Sequence, residues 1–351
     1  MQKKYFVLLL LFVAGIAAYW QTFFINIIPY DSYELMYYFE KYEYSGLKNC
    51  FFQINIETIP VYISFFLYKL WGTSSIGWIS FSVLLHILNA FILFLFCCRI
   101  LQTFNISPHK VTDSVFHRRN LFFLPVMVSM LFLISPFQTE AVLWTPRQIN
   151  YLMSACFVLL SLYYFVFYLE NPSGKNLFLF HLFFVFAAFS YESALPIPGI
   201  SFLCFACFYI FVNKSISFKK YAYKIFIPQI VILLFYFLVS KLWVGHWIAH
   251  YGSEIHLNFS FSLVAENTVK YLAKFFLFYR YLPESRGDFI HSHLNFDIHN
   301  PASSALLLII CMCAAGFLFF YFLKKKKEIA ALAALAFLSF LIFLLPVINL
   351  D

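Results

Sequence analysis

Charge is scarce in this sequence. Only 11% of its 351 residues are Asp, Glu, Lys or Arg, against about 25% in a soluble domain. No Gly/Ser-rich linker, internal repeat or low-complexity tract is found beyond one lysine run, so nothing marks the chain as tethered modules. Its eight cysteines give no disulfide framework. Seven of them (Cys97, Cys98, Cys156, Cys204, Cys207, Cys311 and Cys313) stand in apolar runs, and only Cys50 is in a polar segment. Cys204 and Cys207 make a CxxC inside an apolar run without polar neighbours, which reads as packing rather than redox or metal chemistry.

Apolar residues fill the space that charge leaves. They make up 63% of the chain, with 50 Phe. A soluble core cannot absorb that surplus, whereas a bilayer solvates apolar side chains on every face of a helix. About 20 apolar residues span a bilayer. Nine candidate spans follow: 5–25, 75–98, 121–138, 149–169, 176–190, 194–212, 225–244, 303–323 and 329–347. The first carries Lys3 and Lys4 before its apolar run. That run continues past the small residues near Ala14–Ala18, as in an uncleaved helix rather than a signal peptide. A shorter apolar stretch, 58–71, holds Pro60 and Lys69 and reads as an interfacial helix on the outer surface. The expected fold is all-α, a polytopic transmembrane helical bundle forming a single domain over 1–351.

The net charge of +8 could suggest nucleic acid in a soluble protein, but here it follows membrane sidedness. With the N-terminus inside, the inner segments hold Lys3, Lys4, Arg99, Lys110, Arg118, Arg119, Lys175, Lys214, Lys219, Lys220, Lys224 and Lys324 to Lys327. These 15 basic residues face only Asp113, Glu170 and Glu328, leaving nine of the 24 basic and 13 of the 16 acidic residues for the rest of the chain. Polar mass gathers outside, in a first outer loop, 26–74, a last outer loop, 245–302, and two short connections between them.

Four outer segments carry candidate chemistry. The first loop opens IIPYDSYELMYYFEKY. Asp31 and Glu34 are three apart, the spacing of a capping box or of two carboxylates on one helix face. The connection SPFQTEAVLWTPRQINYL places Glu140 and Arg147 at a span boundary, where they either pair with each other or frame a site for proton and phosphate. Glu192 stands nearly alone in the turn FAAFSYESALPIPGI, as a helix cap or a functional acid. The last outer loop holds Lys270, Lys274 and Arg280 together with six histidines. His246 and His250 are four apart, but no neighbouring carboxylate or Cys completes a metal site.

In this order, the acidic first loop, LYKLWGTSSIGWISFSVLLHILNAFILFLF, the TEAV loop, AAFSYESALPIPG, YLAKFFLFYRYLPES and FLLPVINL resemble the membrane half of the transmembrane/tetratricopeptide-repeat O-mannosyltransferases and their bacterial relatives. Those are GT-C class polyprenyl-phosphate-sugar glycosyltransferases. The resemblance runs from about Tyr19 to Leu350. It implies a GT-C-like bundle that moves a sugar from a polyprenyl-phosphate donor to a hydroxyl of a protein, glycan or lipid. It puts Asp31 at the catalytic first-loop acid, with Ser32 where a second acid is usual and Glu34 as a substitute. Glu140 and Arg147 match the TEAV-like loop. Glu192 matches the Glu of a Lys-Glu pair whose Lys is here Tyr191. His86 matches a histidine of the second span, read as a packing or interhelical residue.

Once the class is granted, Asp31 is the base, while Arg147 and Arg280 neutralise phosphate and Lys270 and Lys274 stand with the substrate. No cofactor or metal is implied, and no nucleic-acid partner. The chain ends where relatives continue, as expected of a minimal or truncated member. The implied location is a bacterial inner membrane with the active face in the periplasm, or the ER membrane in a eukaryote. The competing readings are a lipid-linked-sugar transporter and a non-catalytic membrane scaffold.

Overall fold

Within lipid, backbone N–H and C=O groups find partners only inside their own segment, so long apolar runs form helices. In the computed structural model every regular element among the described residues is helical. The structure describes residues 2–24, 32, 35–41, 57–104, 115–135, 138–143, 149–212, 216–245, 247, 268, 335–336 and 338–339, with backbone alone for 2–3, 115–121 and 140. The chain divides into two compact units, Met1–His250 and Tyr251–Asp351. In the second unit the described residues are helical, and the expected spans 303–323 and 329–347 lie almost wholly outside them.

The first unit begins with α1 (Gln2–Ala18), continued by a 3-10 turn, Trp20–Phe24. A short helix α2 covers 35–41. Next come α3 (Thr58–Trp71), α4 (Ser75–Thr103) and α5 (Val115–Ile134). The short α6 (Thr139–Leu143) precedes α7 (Ile149–Glu170) and α8 (Gly174–Ala188). A 3-10 turn, Glu192–Ala194, leads into α9 (Ile197–Phe211). The last helix is continuous over Phe218–Trp243, built from α10 (Phe218–Tyr221), a π turn (Ala222–Phe226) and α11 (Ile227–Trp243).

Among the described residues four helices are long and apolar enough to cross a bilayer: Ser75–Thr103, Ile149–Glu170, Glu192–Phe211 and Phe218–Trp243. Shorter apolar helices, Lys4–Ala18, Phe122–Ile134 and Gly174–Ala188, fall on three further expected spans. Several helices outrun the apolar runs that mark them. α4 reaches Thr103 rather than 98, α5 starts at Val115 rather than 121, and the last helix starts at Phe218 rather than 225. Each extension is at the lysine- and arginine-rich end, where long cationic side chains reach water while the backbone stays helical.

α4 and α7 form the middle of the unit, with α1 and α5 packed on α4 and with α8 and α9 on α7. The α1–α4 approach requires a glycine. A Cβ on Gly15 would lie 2.5 Å from Ile87 Cγ1, so Gly15 is the small residue that lets the two backbones close. On the outside, Tyr5, Phe6, Leu9 and Val13 of α1 and Leu234, Phe235 and Leu238 of α11 are exposed, as lipid-facing side chains should be.

Polar side chains hold the middle together. His86 Nε2 lies 3.1 Å from the Leu133 carbonyl. That carbonyl belongs to the last turn of α5, where no helical N–H reaches it. Since a carbonyl only accepts, Nε2 carries the proton. One helical turn along α4, Asn89 Nδ2 donates to the Leu152 carbonyl of α7 at 2.8 Å. Of the packing and interhelical roles expected of it, His86 therefore has the interhelical one. A similar repair serves the last helix. Pro228 has no N–H to offer the Lys224 carbonyl, and His181 of α8 lies 3.0 Å from that oxygen through Nε2.

The helix expected at 58–71 is present with those bounds. Pro60, Ser64 and Leu67 are buried on one face, whereas Tyr62, Phe66 and Leu70 are exposed. Gly72 ends it at φ +55°, in the left-handed region that glycine enters without strain, and Trp78 Nε1 donates to the Gly72 carbonyl at 3.0 Å. α2 packs on α3 through Phe39, Phe65 and Tyr68. Burial first, and the Glu40 carboxylate second, raise the Tyr68 phenol above its ordinary pKa.

Candidate functional site

The site is built around the turn between α8 and α9. α8 closes with the Ser190 hydroxyl bonded to the Phe186 carbonyl at 2.7 Å. The Tyr191 N–H reaches the Ala187 carbonyl at 3.0 Å. Tyr191 is then extended, at φ −166° and ψ 148°, and turns the chain into the 3-10 segment. Pro196 and Pro198 follow at the start of α9, where a missing N–H costs no helical bond. An acid between two apolar helices thus sits on a short, tightly bonded turn.

Each of the three residues 191–193 is tied to a neighbouring helix. The Tyr191 hydroxyl donates to the Tyr151 hydroxyl in the first turn of α7 at 3.1 Å, with ring centroids 4.3 Å apart. Ser193 Oγ lies 3.5 Å from Ser154 Oγ, also on α7. The half-buried Glu192 carboxylate accepts a hydrogen bond from the hydroxyl of Tyr236, a buried residue on α11. Glu57, just ahead of α3, lies within electrostatic reach of the same hydroxyl. This end of the bundle thus holds a carboxylate from the α8–α9 turn and hydroxyls from α7 and α11, with the Glu57 carboxylate in electrostatic reach of the Tyr236 hydroxyl. Such a cluster can accept hydrogen bonds from a hydroxyl-bearing ligand and repels phosphate.

Of the catalytic and substrate-binding residues expected from the sequence, Glu192 is the one whose side chain is described. Glu140 lies on α6, its side chain outside the described residues. Asp31, Glu34, Arg147, Lys270, Lys274 and Arg280 also lie outside them, as do His246 and His250. Among the described residues no group of three or more His, Cys, Asp or Glu side chains could hold a metal ion. Cys97, Cys98, Cys156, Cys204 and Cys207 are free thiols.

Sequence reading missed Glu57, Tyr151 and Tyr236. Glu57 carried a signal, as one of few acids in the first outer loop. Nothing along the chain distinguishes Tyr151 and Tyr236 among 24 tyrosines. A shallow recess of about 510 Å³ on α1, lined by Phe12, Val13, Ile16, Ala17 and Trp20, is apolar throughout.

The opposite end of the bundle is organised by charge. Arg99 of α4 pairs with Glu170 at the end of α7, and the Thr103 hydroxyl donates to the same carboxylate. The guanidinium lies 3.9 Å from the centroid of the Phe167 ring. Lys4 is within electrostatic reach of Cys98 beside this pair, which brings the start of α1 to the same end. At the far side, Lys241 reaches past the end of α11 so that Nζ donates to the Gly245 carbonyl at 2.8 Å, as a snorkelling lysine near a span end should.

Apolar helices of spanning length and an exposed surface rich in large apolar side chains define a helical integral membrane protein. No protein-family model, curated protein or solved structure matches the chain.

Proposed function

We propose that this protein is a GT-C-like membrane glycosyltransferase of about nine spans with its N-terminus inside. It transfers a sugar from a polyprenyl-phosphate donor to an acceptor hydroxyl on the face opposite its basic end. The observation that carries this reading is the position of Glu192. Its carboxylate is half-buried and bonded to Tyr236, whose hydroxyl Glu57 also reaches electrostatically. Both the α8–α9 turn and the first outer loop therefore supply acids to one place, as an outward-facing transferase requires. Ser32 and Tyr191 stand where the family has an acid and a lysine, so phosphate recognition falls to Arg147 and Arg280, with Lys270 and Lys274. Glu192, Glu57 and the tyrosine hydroxyls face the sugar or acceptor.

In the proposed reaction Asp31, supported by Glu34 and Glu140, takes the proton of the acceptor hydroxyl as its oxygen attacks the anomeric carbon. The bond to the phosphate oxygen breaks, and the electron pair leaves with polyprenyl phosphate. The arginines stabilise that leaving charge. A single displacement through an oxocarbenium-like transition state inverts the anomeric centre.

The test is sugar transfer from radiolabelled polyprenyl-phosphate sugars in membranes carrying wild type, Asp31→Asn or Glu192→Gln, with folding matched by detergent chromatography. Transfer by wild type that falls at least a hundredfold in Asp31→Asn supports a general base at this position. Full transfer by a folded Asp31→Asn protein removes Asp31 from that role. A wild type that transfers nothing but moves the donor across the bilayer is a transporter, and one that does neither is a scaffold. The transporter alternative draws on one feature, the buried Ser82, His86 and Asn89 on a single face of α4.

A further inference from the structure

We propose that the basic end carries a binding site for an anionic phospholipid, formed where α8 meets the start of the last helix. The His181–Lys224 bond fixes the two helices against each other. Both run away from the basic end, so depth can be counted from that bond. Lys175 stands six residues before His181 and Lys219 five before Lys224. At 1.5 Å per residue these are about 9 Å and about 7.5 Å, nearly one depth. Lys220 lies beside Lys219, and Lys224 four residues after it on the same face.

Burial sets the direction of that face. Tyr221, Ile225 and Gln229 are buried towards the bundle, whereas Lys219, Lys220, Tyr223 and Lys224 are exposed, as is Lys175. The Ser217 side chain accepts from the Lys220 N–H at 3.3 Å and starts the helix at this depth. The nearest acid in sequence, Glu170, is already engaged by Arg99 and Thr103. Lys175, Lys219 and Lys220 thus gather at nearly one level on two helices in contact, with Lys224 about 6 Å deeper along the same helix.

The surroundings point to a lipid rather than a soluble anion. Phe178 of α8 and Phe226 and Ile227 of the last helix are exposed just beyond the lysines, towards the middle of the bilayer. A phosphodiester headgroup would meet the lysines while its acyl chains lie on Phe178, Phe226 and Ile227. Lysine near an anionic surface strengthens binding by about fivefold per residue.

The experiment uses the full chain, purified in mild detergent and transferred to nanodiscs of phosphatidylcholine with a minor fraction of phosphatidylglycerol. Phosphatidylglycerol retained on the released protein is read by native mass spectrometry. Wild type should retain it in preference to phosphatidylcholine. Replacing Lys175, Lys219, Lys220 and Lys224 together by Gln should abolish the preference, and replacing them by Arg should preserve it. Lys241→Gln, at the other end, should leave it intact. Equal retention by wild type and the Gln variant overturns the proposal. So does a soluble glycerol phosphate that displaces the lipid at comparable concentration, since the acyl contacts would then contribute nothing. If the fourfold Gln variant does not fold, the four single Gln variants decide, each expected to lose about fivefold and together overturning the site if none does.

Discussion

The two ends of the bundle are closed by different chemistry. At the basic end a full positive charge meets a full negative one, Arg99 on Glu170, with Thr103 and the Phe167 ring completing the contact. At the other end the contacts are hydroxyl to hydroxyl, Tyr191 on Tyr151, and phenol to carboxylate, Tyr236 on Glu192. A phenol holds a carboxylate without cancelling its charge. The first arrangement suits a fastening between α4 and α7, and the second suits a group positioned for a ligand.

That contrast can be broken by substitution. The largest effect on stability is expected from Arg99→Ala, which leaves Glu170 half-buried without its guanidinium and should cost about 3 kcal/mol. Thermal unfolding in detergent measures it. The paired change Arg99→Met with Glu170→Leu should cost clearly less than the two single changes combined. An additive double variant would mean that the two side chains do not act as a pair. Next comes Tyr236→Phe, which removes a hydrogen bond to a charged group worth about 1.5–3 kcal/mol. If the outer end is a site, sugar transfer should fall further than the accompanying loss of stability accounts for, whereas a matching loss of both would make Tyr236 a fastening like Arg99. The smallest change is Tyr191→Phe, which deletes one neutral hydrogen bond while keeping the ring on Tyr151. It should cost about 0.5–1.5 kcal/mol. A larger cost would shift weight from the ring packing to the hydroxyl pair.

Much of the fold was legible beforehand because hydropathy reports burial in lipid directly. Seven of the expected spans correspond to helices, and α3 occupies the bounds read from its apolar stretch. The helices outran their expected bounds at the basic ends, where hydropathy stops at the first cation but the helix does not, whereas at its other end α5 stops at Ile134, short of the expected 138. His86 was marked as packing or interhelical, yet its partner was not readable: the Leu133 carbonyl is a backbone group 47 residues away, and only the end of α5 makes it available. The candidate site was half legible. Glu192 drew attention because an acid between two apolar runs is costly. Tyr236 and Tyr151 did not, since a tyrosine near a span end is ordinary and its role depends on what packs beside it.

By itself, then, the sequence determined that this chain has the character of a membrane protein and, among the described residues, which segments are helical. Those properties are sums over local residues, and lipid reads them without reference to neighbours. The tertiary structure decided which polar groups meet: Arg99 with Glu170, His181 with the carbonyl freed by Pro228, and Glu192 with Tyr236. In a bilayer the hydrophobic effect does not choose one helix pairing over another. Close packing at Gly15 and the few buried hydrogen bonds make that choice, and they exist only once the helices are side by side.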